Sequence, residues 1–306
     1  MDRRKRALLN PKEEATFKAL QESAERCGVR IHTKMRIADV LDIEKSGLSN
    51  DEYSYALKAH FDFVVEQKDK SVAFAVEFDG SQHDSDPEAI SRDAKKNSIC
   101  EKLGMPLLRI DAEYLRKVGQ FSIVGWLMEV WFLDQEFVKA QERGGIPDNY
   151  DFHYSLVMGC GYREGDKFVE LDFNNSEATI EVLKKYGKFG EDKIVTTRPY
   201  DPFLPSRALL HKYSKGIEVL RAIDPKNRDV SVAVVKLADS GIVLGIGKCR
   251  SFRFPPVGSR ELSEELSMVD AAGKLRKYNR GECKLDTAED VDSWRDRILQ
   301  WKAHSR

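Results

Sequence analysis

The sequence predicts a mixed α/β protein built from two parts, and three observations support this prediction. Two strand-like runs, at 59–66 and 71–80, are separated by a short polar segment that is typical of a β-hairpin. A helical pattern at 86–104 and a short apolar strand at 105–111 follow them. A segment containing Gly and Pro at 144–147 then separates these elements from a second series of strands and helices.

The first predicted element is a helix that begins near Asn10. Asn10 can cap this helix, Pro11 suits its first position, and Glu13 falls where the acid of a capping box belongs. Other segments of the first part read as a strand or loop at 29–41, a loop or short helix at 44–57, and an aromatic-rich helix at 119–141.

The linker divides the chain into a predicted first domain over 1–145 and a second over 148–306. In the second part we expect strands near 153–160, 167–173, 193–198, 230–238 and 241–247, and helices at 176–186, 204–222, 260–280 and 287–303. This mixture predicts an α+β domain of unknown fold. Its basic residues with interleaved aromatics suit substrate recognition or partner binding, and the alternative is a solvated helix face.

Composition narrows the class of protein but not its partner. Lys and Arg number 50 against 51 Asp and Glu, so the overall charge neither favours nor excludes a polyanionic ligand. The five cysteines form no CxxC pair, which argues against a structural zinc site or a disulfide framework. No apolar run approaches the ~20 residues of a membrane span. We therefore expect a cytoplasmic protein with no membrane association.

The alternation of large apolar residues predicts the register of the hairpin. The expected pairs are Val65 with Val72, Phe63 with Phe74, and Phe61 with Val76. This register puts the large apolar side chains on one core face, whereas a slip by one residue would turn one set outward. Asp62, Glu77 and Asp79 then share the opposite face, with Asp62 diagonal to Glu77. Ala73 and Ala75 are the small neighbours expected to leave room above it.

Carboxylates that converge on such a space repel one another, and a divalent cation is the natural compensation. Mg²⁺ takes oxygen ligands and usually keeps waters and substrate phosphates in its remaining positions. The alternative is a solvated face whose acids are ordinary surface residues. Two further residues have two interpretations each. His83 is either a general base or supporting group or a cap of the loop after Gly80, and Glu13 is a capping residue that could also reach a metal site.

The predicted helix at 86–104 offers a cation to this face. Arg92 and Lys96 are four residues apart and share one side of the helix, and Asp93 is their neighbour. Packed over the carboxylates, this helix would bring Lys96 or Lys95 near a phosphate, where a cation stabilises the charge that builds on phosphorus. The alternative is an ordinary solvated helix with one Asp–Lys pair.

These residues occur in an order that resembles a known family. The pattern N-P-x-E…H-F-D-F-V-V…V-E-F-D-G-x-x-H…R-D-x-K-K…G-M-P-L-L-R-I spans about residues 8–116. It resembles a bacterial domain of unknown function in the PD-(D/E)XK nuclease superfamily, related to very-short-patch-repair type endonucleases. The resemblance implies a restriction-endonuclease-like mixed sheet flanked by helices. It also implies a Mg²⁺-dependent phosphodiesterase, for which Mn²⁺ could substitute, acting on nucleic acid, with DNA favoured over RNA.

By the same resemblance, Asp62 is the motif aspartate, Glu77 the acid of the (D/E)XK element, and Glu13 the acid of the first helix. The sequence departs from the motif at one position, because Asp79 stands where a lysine is expected. Lys96, or Lys95, from the following helix could replace the missing cation.

The sequence thus predicts a metal-dependent nuclease. Its expected catalytic residues are Asp62, Glu77, Asp79, Lys96 and His83, and its expected metal ligands are Asp62, Glu77, Asp79 and Glu13. Arg92, Lys95 and Arg109 are candidate nucleic-acid contacts, although Arg109 could instead be structural. The alternative is a nucleic-acid-binding or regulatory module that no longer cuts, and a third interpretation is a scaffold with solvated acids. A homodimer or a protein partner is left open.

Overall fold

The structure, a computed structural model, describes residues 9–80, 87–118, 121–144, 152, 154, 161–164, 167–170, 202–250 and 254–304. The predicted elements at 176–186 and 193–198 lie outside these residues, as do most of the linker and of the strand at 153–160. The described part contains two main sheets with helices, which confirms the mixed α/β class. No helix in this part is both long and apolar enough to cross a membrane.

The first half is organised around a four-stranded sheet. Its strands follow the order β1 (Arg30–Arg36), β2 (His60–Glu66), β3 (Val72–Phe78) and β4 (Leu107–Ile110). Neighbouring strands are antiparallel except β3 and β4, which are parallel. The helices are α1 (Pro11–Cys27), α2 (Ile37–Val40), α3 (Asn50–Ala56), α4 (Pro87–Lys102) and α5 (Ile123–Glu142). A ribbon of β5 (Lys117–Val118) and β6 (Phe121–Ser122) precedes α5.

The start of α1 is the predicted capping box. The Asn10 side chain accepts hydrogen bonds from the N–H groups of Lys12 and Glu13, and Glu13 Oε2 accepts the Asn10 N–H at 3.0 Å. The helix ends at Gly28, which adopts a left-handed φ of 67° that glycine tolerates without a steric penalty.

The hairpin forms, but its predicted register was wrong by two residues. The observed pairs are Phe63 with Val76, Val64 with Ala75, and Val65 with Phe74. The turn contributes one residue of the shift, since Gln67 N–H bonds Ser71 O and Lys70 takes a left-handed φ of 70°. A bulge between Val65 and Glu66 contributes the other. A slip of two preserves the faces, and the continued register places Asp62 opposite Glu77 instead of diagonal to it.

Both faces of this sheet are covered. One face packs on α1 and α5 through a cluster that includes Leu20, Phe63, Phe74, Val76 and Trp126. The other face packs on α4 through Val64, Ala75, Ile99 and Cys100. The space that was expected to be open above Ala75 is therefore filled. Phe61 belongs to this second cluster, not to that of Phe63 as predicted.

The second half contains a three-stranded antiparallel sheet of β9 (Ser214–Ile223), β10 (Arg228–Leu237) and β11 (Ile242–Arg250), in the order β11-β10-β9. Before this sheet, the chain forms a ribbon of β7 (Gly161–Glu164) and β8 (Lys167–Glu170) and the helix α6 (Leu204–Tyr213). After it come the helices α7 (Ser259–Asn279) and α8 (Ala288–His304). The helix predicted at 204–222 was wrong in its second half. Gly216 and the β-branched Ile217 and Val219 favour a strand, and β9 pairs along the whole length of β10.

Helices α7 and α8 cover opposite faces of this second sheet. Ala271 and Leu275 of α7 pack against Val235, and Val291 of α8 packs against Val232. Helix α7 lies directly on β11. The two backbones are so close that a Cβ on Gly247 would come 1.9 Å from the backbone oxygen of Ser263. Only glycine permits this approach.

The two halves share one apolar cluster. The ring of Phe74 in β3 lies 5.1 Å from that of Phe254, and the ring of Trp126 in α5 lies 4.9 Å from that of Phe203. This contact brings the end of β11 close to the first sheet. The domain boundary at 145–148 stays a prediction.

Candidate active site

A cleft of about 870 Å³ opens where β2 begins and β3 ends. It is bordered by the N-terminal turn of α1, the segment before β2, and α4. The candidate residues that line it are Glu13, Asp62, Glu77, Asp79, Arg92 and Lys96. The strand ends thus bring together residues that are far apart in sequence.

Glu77 is the most enclosed acid that contacts a lysine here. Glu77 is only 6% exposed, and its Oε2 accepts a hydrogen bond from Lys96 Nζ at 2.6 Å. Oε1 accepts the backbone N–H of Asp62 at 3.2 Å. Burial raises the pKa of Glu77 to about 7, and the nearby Asp62 adds to this effect, against the opposing charges of Lys96 and Arg109.

Lys96 is held by more than Glu77. Its Nζ also donates to the backbone oxygen of His60 at 2.8 Å and lies 5.8 Å from the centre of the Phe61 ring. Lys95, the other lysine that was considered, pairs with Asp51 instead, at 2.8 Å. Of the two alternatives, the structure therefore places Lys96 at the carboxylates.

Asp62 is fixed by the strand next to it and by a lysine that the sequence analysis missed. Its Oδ2 accepts the backbone N–H of Phe78 at 3.0 Å, and its Oδ1 accepts from Lys34 Nζ at 2.6 Å. Lys34 Nζ also lies 2.8 Å from Glu13 Oε1. Glu13 therefore caps α1 and faces the site at the same time.

Lys34 has an unusual backbone for a residue within a strand. Its φ of 54° is left-handed, a conformation that costs a non-glycine residue about 1 kcal/mol or more. Burial alone lowers the pKa of Lys34, but its hydrogen bonds to Asp62 and Glu13 outweigh this effect and raise the pKa. The sequence did carry a signal, since Arg30, His32, Lys34 and Arg36 alternate along β1.

The structure does not bring Asp79 together with Asp62 and Glu77 as a third converging acid. Asp79 is 5% exposed, and its carboxylate lies 2.8 Å from Arg109 Nη1 and 3.1 Å from Arg250 Nε. Burial raises the pKa of Asp79, while Arg109 and Arg250 oppose that rise. Among the described residues, no three His, Cys, Asp or Glu side chains form a group that could hold a metal ion.

Arg109 has the contacts expected of the structural alternative. It is 4% exposed and donates to Asp79, to Asp93 Oδ1 at 3.2 Å and to Asn97 Oδ1 at 2.9 Å. It is therefore enclosed between β3 and α4, away from solvent. Arg92 lines the cleft, and His83 lies outside the described residues.

Two carboxylates remain that suit a hard cation. Asp62 and Glu77 face each other across two hydrogen-bonded strands and offer oxygen ligands of the type that Mg²⁺ prefers. Since Mg²⁺ often takes only one or two protein carboxylates, the donor set fits this ion. Lys34 and Lys96 at present balance the charges of this pair.

Comparison with known proteins matches only the first part of the chain. Residues 5–121 match a family model described as "Protein of unknown function (DUF2726)". No curated protein matches the chain, and no solved structure does.

Proposed function

We propose that this protein is a Mg²⁺-dependent nuclease of the PD-(D/E)XK type that hydrolyses phosphodiester bonds, in DNA more than in RNA. The observation that supports this function best is the buried contact between Lys96 and Glu77, beside Asp62 at the mouth of a cleft. It supplies the pair of carboxylates and the cation that the motif requires, although the lysine comes from α4 and not from β3. The ordered motifs of the first part support the same reading.

Asp62 and Glu77 would hold Mg²⁺ or Mn²⁺, with Glu13 as a further acid beside them. When bound, such an ion polarises the scissile phosphate and lowers the pKa of a bound water. The contribution of the chain itself is positional. The strand pairing fixes Asp62 and Glu77 relative to each other, through hydrogen bonds of each carboxylate to the backbone of the opposite strand.

Lys96 would stabilise the negative charge that develops on the phosphate. Its ammonium group is fixed by Glu77 and by the His60 carbonyl, so little reorganisation is needed when that charge appears. The cleft lining also includes Lys12, Lys58 and Arg92, beside its acids, and these cations would contact the phosphates of a nucleic acid.

A specific observation favours the second candidate function, a nucleic-acid-binding module that no longer cuts. Lys34 bridges Asp62 and Glu13, so the protein itself already places a cation between these two carboxylates. Asp79 in the lysine position of the motif points the same way. Such a module would bind nucleic acid equally well in the presence of a chelator.

The deciding experiment compares cleavage of plasmid, linear duplex, single-stranded DNA and RNA, each with Mg²⁺, Mn²⁺ or chelator. We expect metal-dependent cutting that Glu77→Ala and Lys96→Met each reduce by about 10²-fold or more. Lys102→Met is the matched control, because this lysine lies on the same helix but pairs with Glu52. Cleavage by Glu77→Ala at the wild-type rate would refute the assignment. Chelator-insensitive binding without cutting would favour the binding module.

A further inference from the structure

A group of charges that is buried at Asp79 and Arg109 and half-buried at Asp93 and Arg250 connects the two halves of the protein at the cleft. We call it the Asp79 network, and it consists of Asp79, Asp93, Arg109 and Arg250. Arg250, at the end of β11, lies 3.1 Å from Asp79 Oδ2 and 3.8 Å from Asp93 Oδ2. Arg109, on β4, contacts the other oxygen of each carboxylate, at 2.8 and 3.2 Å. Two aspartates are thus balanced by two arginines from different halves.

The network holds the helix turn that carries Lys96. Asp93 precedes Lys96 by three residues on α4, and Asn97 follows it directly. Arg109 bonds both Asp93 and Asn97, so its guanidinium contacts α4 on either side of Lys96. Rotation or translation of this turn would therefore break these bonds.

The same network holds the strand that carries Glu77. Asp79 lies two residues after Glu77, and Arg109 is the register partner of Glu77 in the parallel pair of β3 and β4. Both members of the Lys96–Glu77 contact are therefore attached to the network through their own backbone. The geometry of the Asp79 network therefore sets the distance between α4 and β3.

We propose that Arg250 is a positioning residue of the first-half site, contributed by the second half. Its guanidinium lies against the carboxylate oxygens of Asp79 and Asp93 that Arg109 does not contact, and so keeps α4 at the distance at which Lys96 reaches Glu77. This inference rests on the proposed nuclease function. It also gives Asp79 a reason to occupy the lysine position of the motif, since the lysine has moved to α4 and an acid is needed to bind Arg250.

Removal of Arg250 would increase the repulsion between the carboxylates of Asp79 and Asp93. Asp79 and Asp93 are close enough for the charge of each to affect the other, and without Arg250 two of their oxygens lose a cation. One carboxylate would then move toward solvent. Because Asp93 is on α4, that movement displaces the turn of Lys96, and small misplacements of a catalytic group are costly.

The test compares Arg250→Gln with the conservative Arg250→Lys and with the matched control Arg228→Gln. Arg228 is the register neighbour of Arg250 on β10, but it pairs with Asp224 within the second half. We expect Arg250→Gln to lower kcat about tenfold or more with KM unchanged. Arg250→Lys should restore most of kcat, and Arg228→Gln should match the wild type.

A second readout does not depend on activity. The Lys96 ammonium is buried and hydrogen-bonded, so its Nζ resonance in a ¹⁵N spectrum, assigned with Lys96→Arg, reports the contact with Glu77. Loss or displacement of this signal in Arg250→Gln, but not in Arg228→Gln, supports the positioning role even if the wild type does not cleave. An unchanged signal together with unchanged kcat would overturn it. If Arg250→Gln does not fold, Asp93→Asn, which alters a carboxylate that Arg250 contacts on α4, provides the same two readouts.

Discussion

Glu77 and Asp79 are two acids of the same strand end, and the structure treats them differently. Glu77 contacts one lysine, whose ammonium is a single compact charge on a flexible stem. Asp79 lies between two arginines, whose planar guanidinium groups hold carboxylates in a fixed geometry. Residue type and burial therefore do not distinguish the proposed catalytic acid from the acid of the Asp79 network. The kind of cation beside the acid does.

The two contacts also differ in whether a metal ion or a phosphate could enter between their members. The Glu77–Lys96 pair borders the cleft and could accept a metal ion or a phosphate between its members. Asp79 also borders the cleft, but it pairs with Arg109 on β4 of the first sheet and with Arg250 on β11 of the second sheet. Its contacts therefore connect the two sheets. We therefore expect substitutions at Asp79 and Arg109 to act mainly on the free energy of unfolding, and substitutions at Glu77 to act mainly on pH dependence and activity.

The largest effect on stability should come from Arg109→Leu. This change leaves Asp79 buried beside Asp93 with only Arg250 as a cation, and breaking such a buried pair costs about 3–5 kcal/mol. Urea unfolding measures this loss, with Arg280→Leu as the exposed control. A loss below about 1 kcal/mol, typical of surface pairs, would show that the two acids are not different in this way.

The next effect concerns Glu77→Gln and pH, measured with chelator present. The pKa of Glu77 is raised from an ordinary value of 4.5 to about 7, so the folded state binds a proton that the unfolded state releases. Its contribution to stability is complete below about pH 4.5 and is lost as pH rises through about 7, a change of about 3 kcal/mol. Glutamine cannot titrate, so the free energy of unfolding of the variant should fall less over this interval. Parallel pH curves for the two proteins would contradict the raised pKa.

The smallest effect should come from Lys95→Ala. The pair of Lys95 with Asp51 is exposed, and such pairs contribute about 0.2–1 kcal/mol. Thermal unfolding should barely change, and cleavage should stay at the wild-type rate. A loss of activity as large as that of Lys96→Met would mean that the contacts of the two lysines do not decide which of them acts in catalysis.

Local patterns in the sequence predicted much of the first half. Helix α4 follows from Pro87 and from Gly104, which takes a left-handed φ of 65° after the helix. The faces of the hairpin depend only on alternation and were correct for Phe63 and Val65, but Phe61 lies in the cluster of the opposite face. The register was wrong because it depends on the turn at Lys70 and on the bulge at Glu66, and neither has a signature as clear as Asn-Gly.

The contacts that the sequence did not predict are those between distant residues. Nothing near Asp79 indicates that its partner is Arg250 in another sheet, so the carboxylate was grouped with its neighbours on β3. Lys34 was overlooked because residues 29–41 were ambiguous between strand and loop. Its left-handed backbone arises from the contacts of the folded protein, not from a residue preference.

Strand β1 has a further consequence for how the protein behaves at high concentration. Among the described strands it is an outer strand of the first sheet, and the N–H and C=O groups of such an edge could recruit a strand from another molecule. The left-handed Lys34 interrupts the regular spacing of these groups, and the exposed side chains of Arg30 and Arg36 place like charges along the same edge. The strand that supplies a cation to the cleft therefore also resists edge-to-edge aggregation.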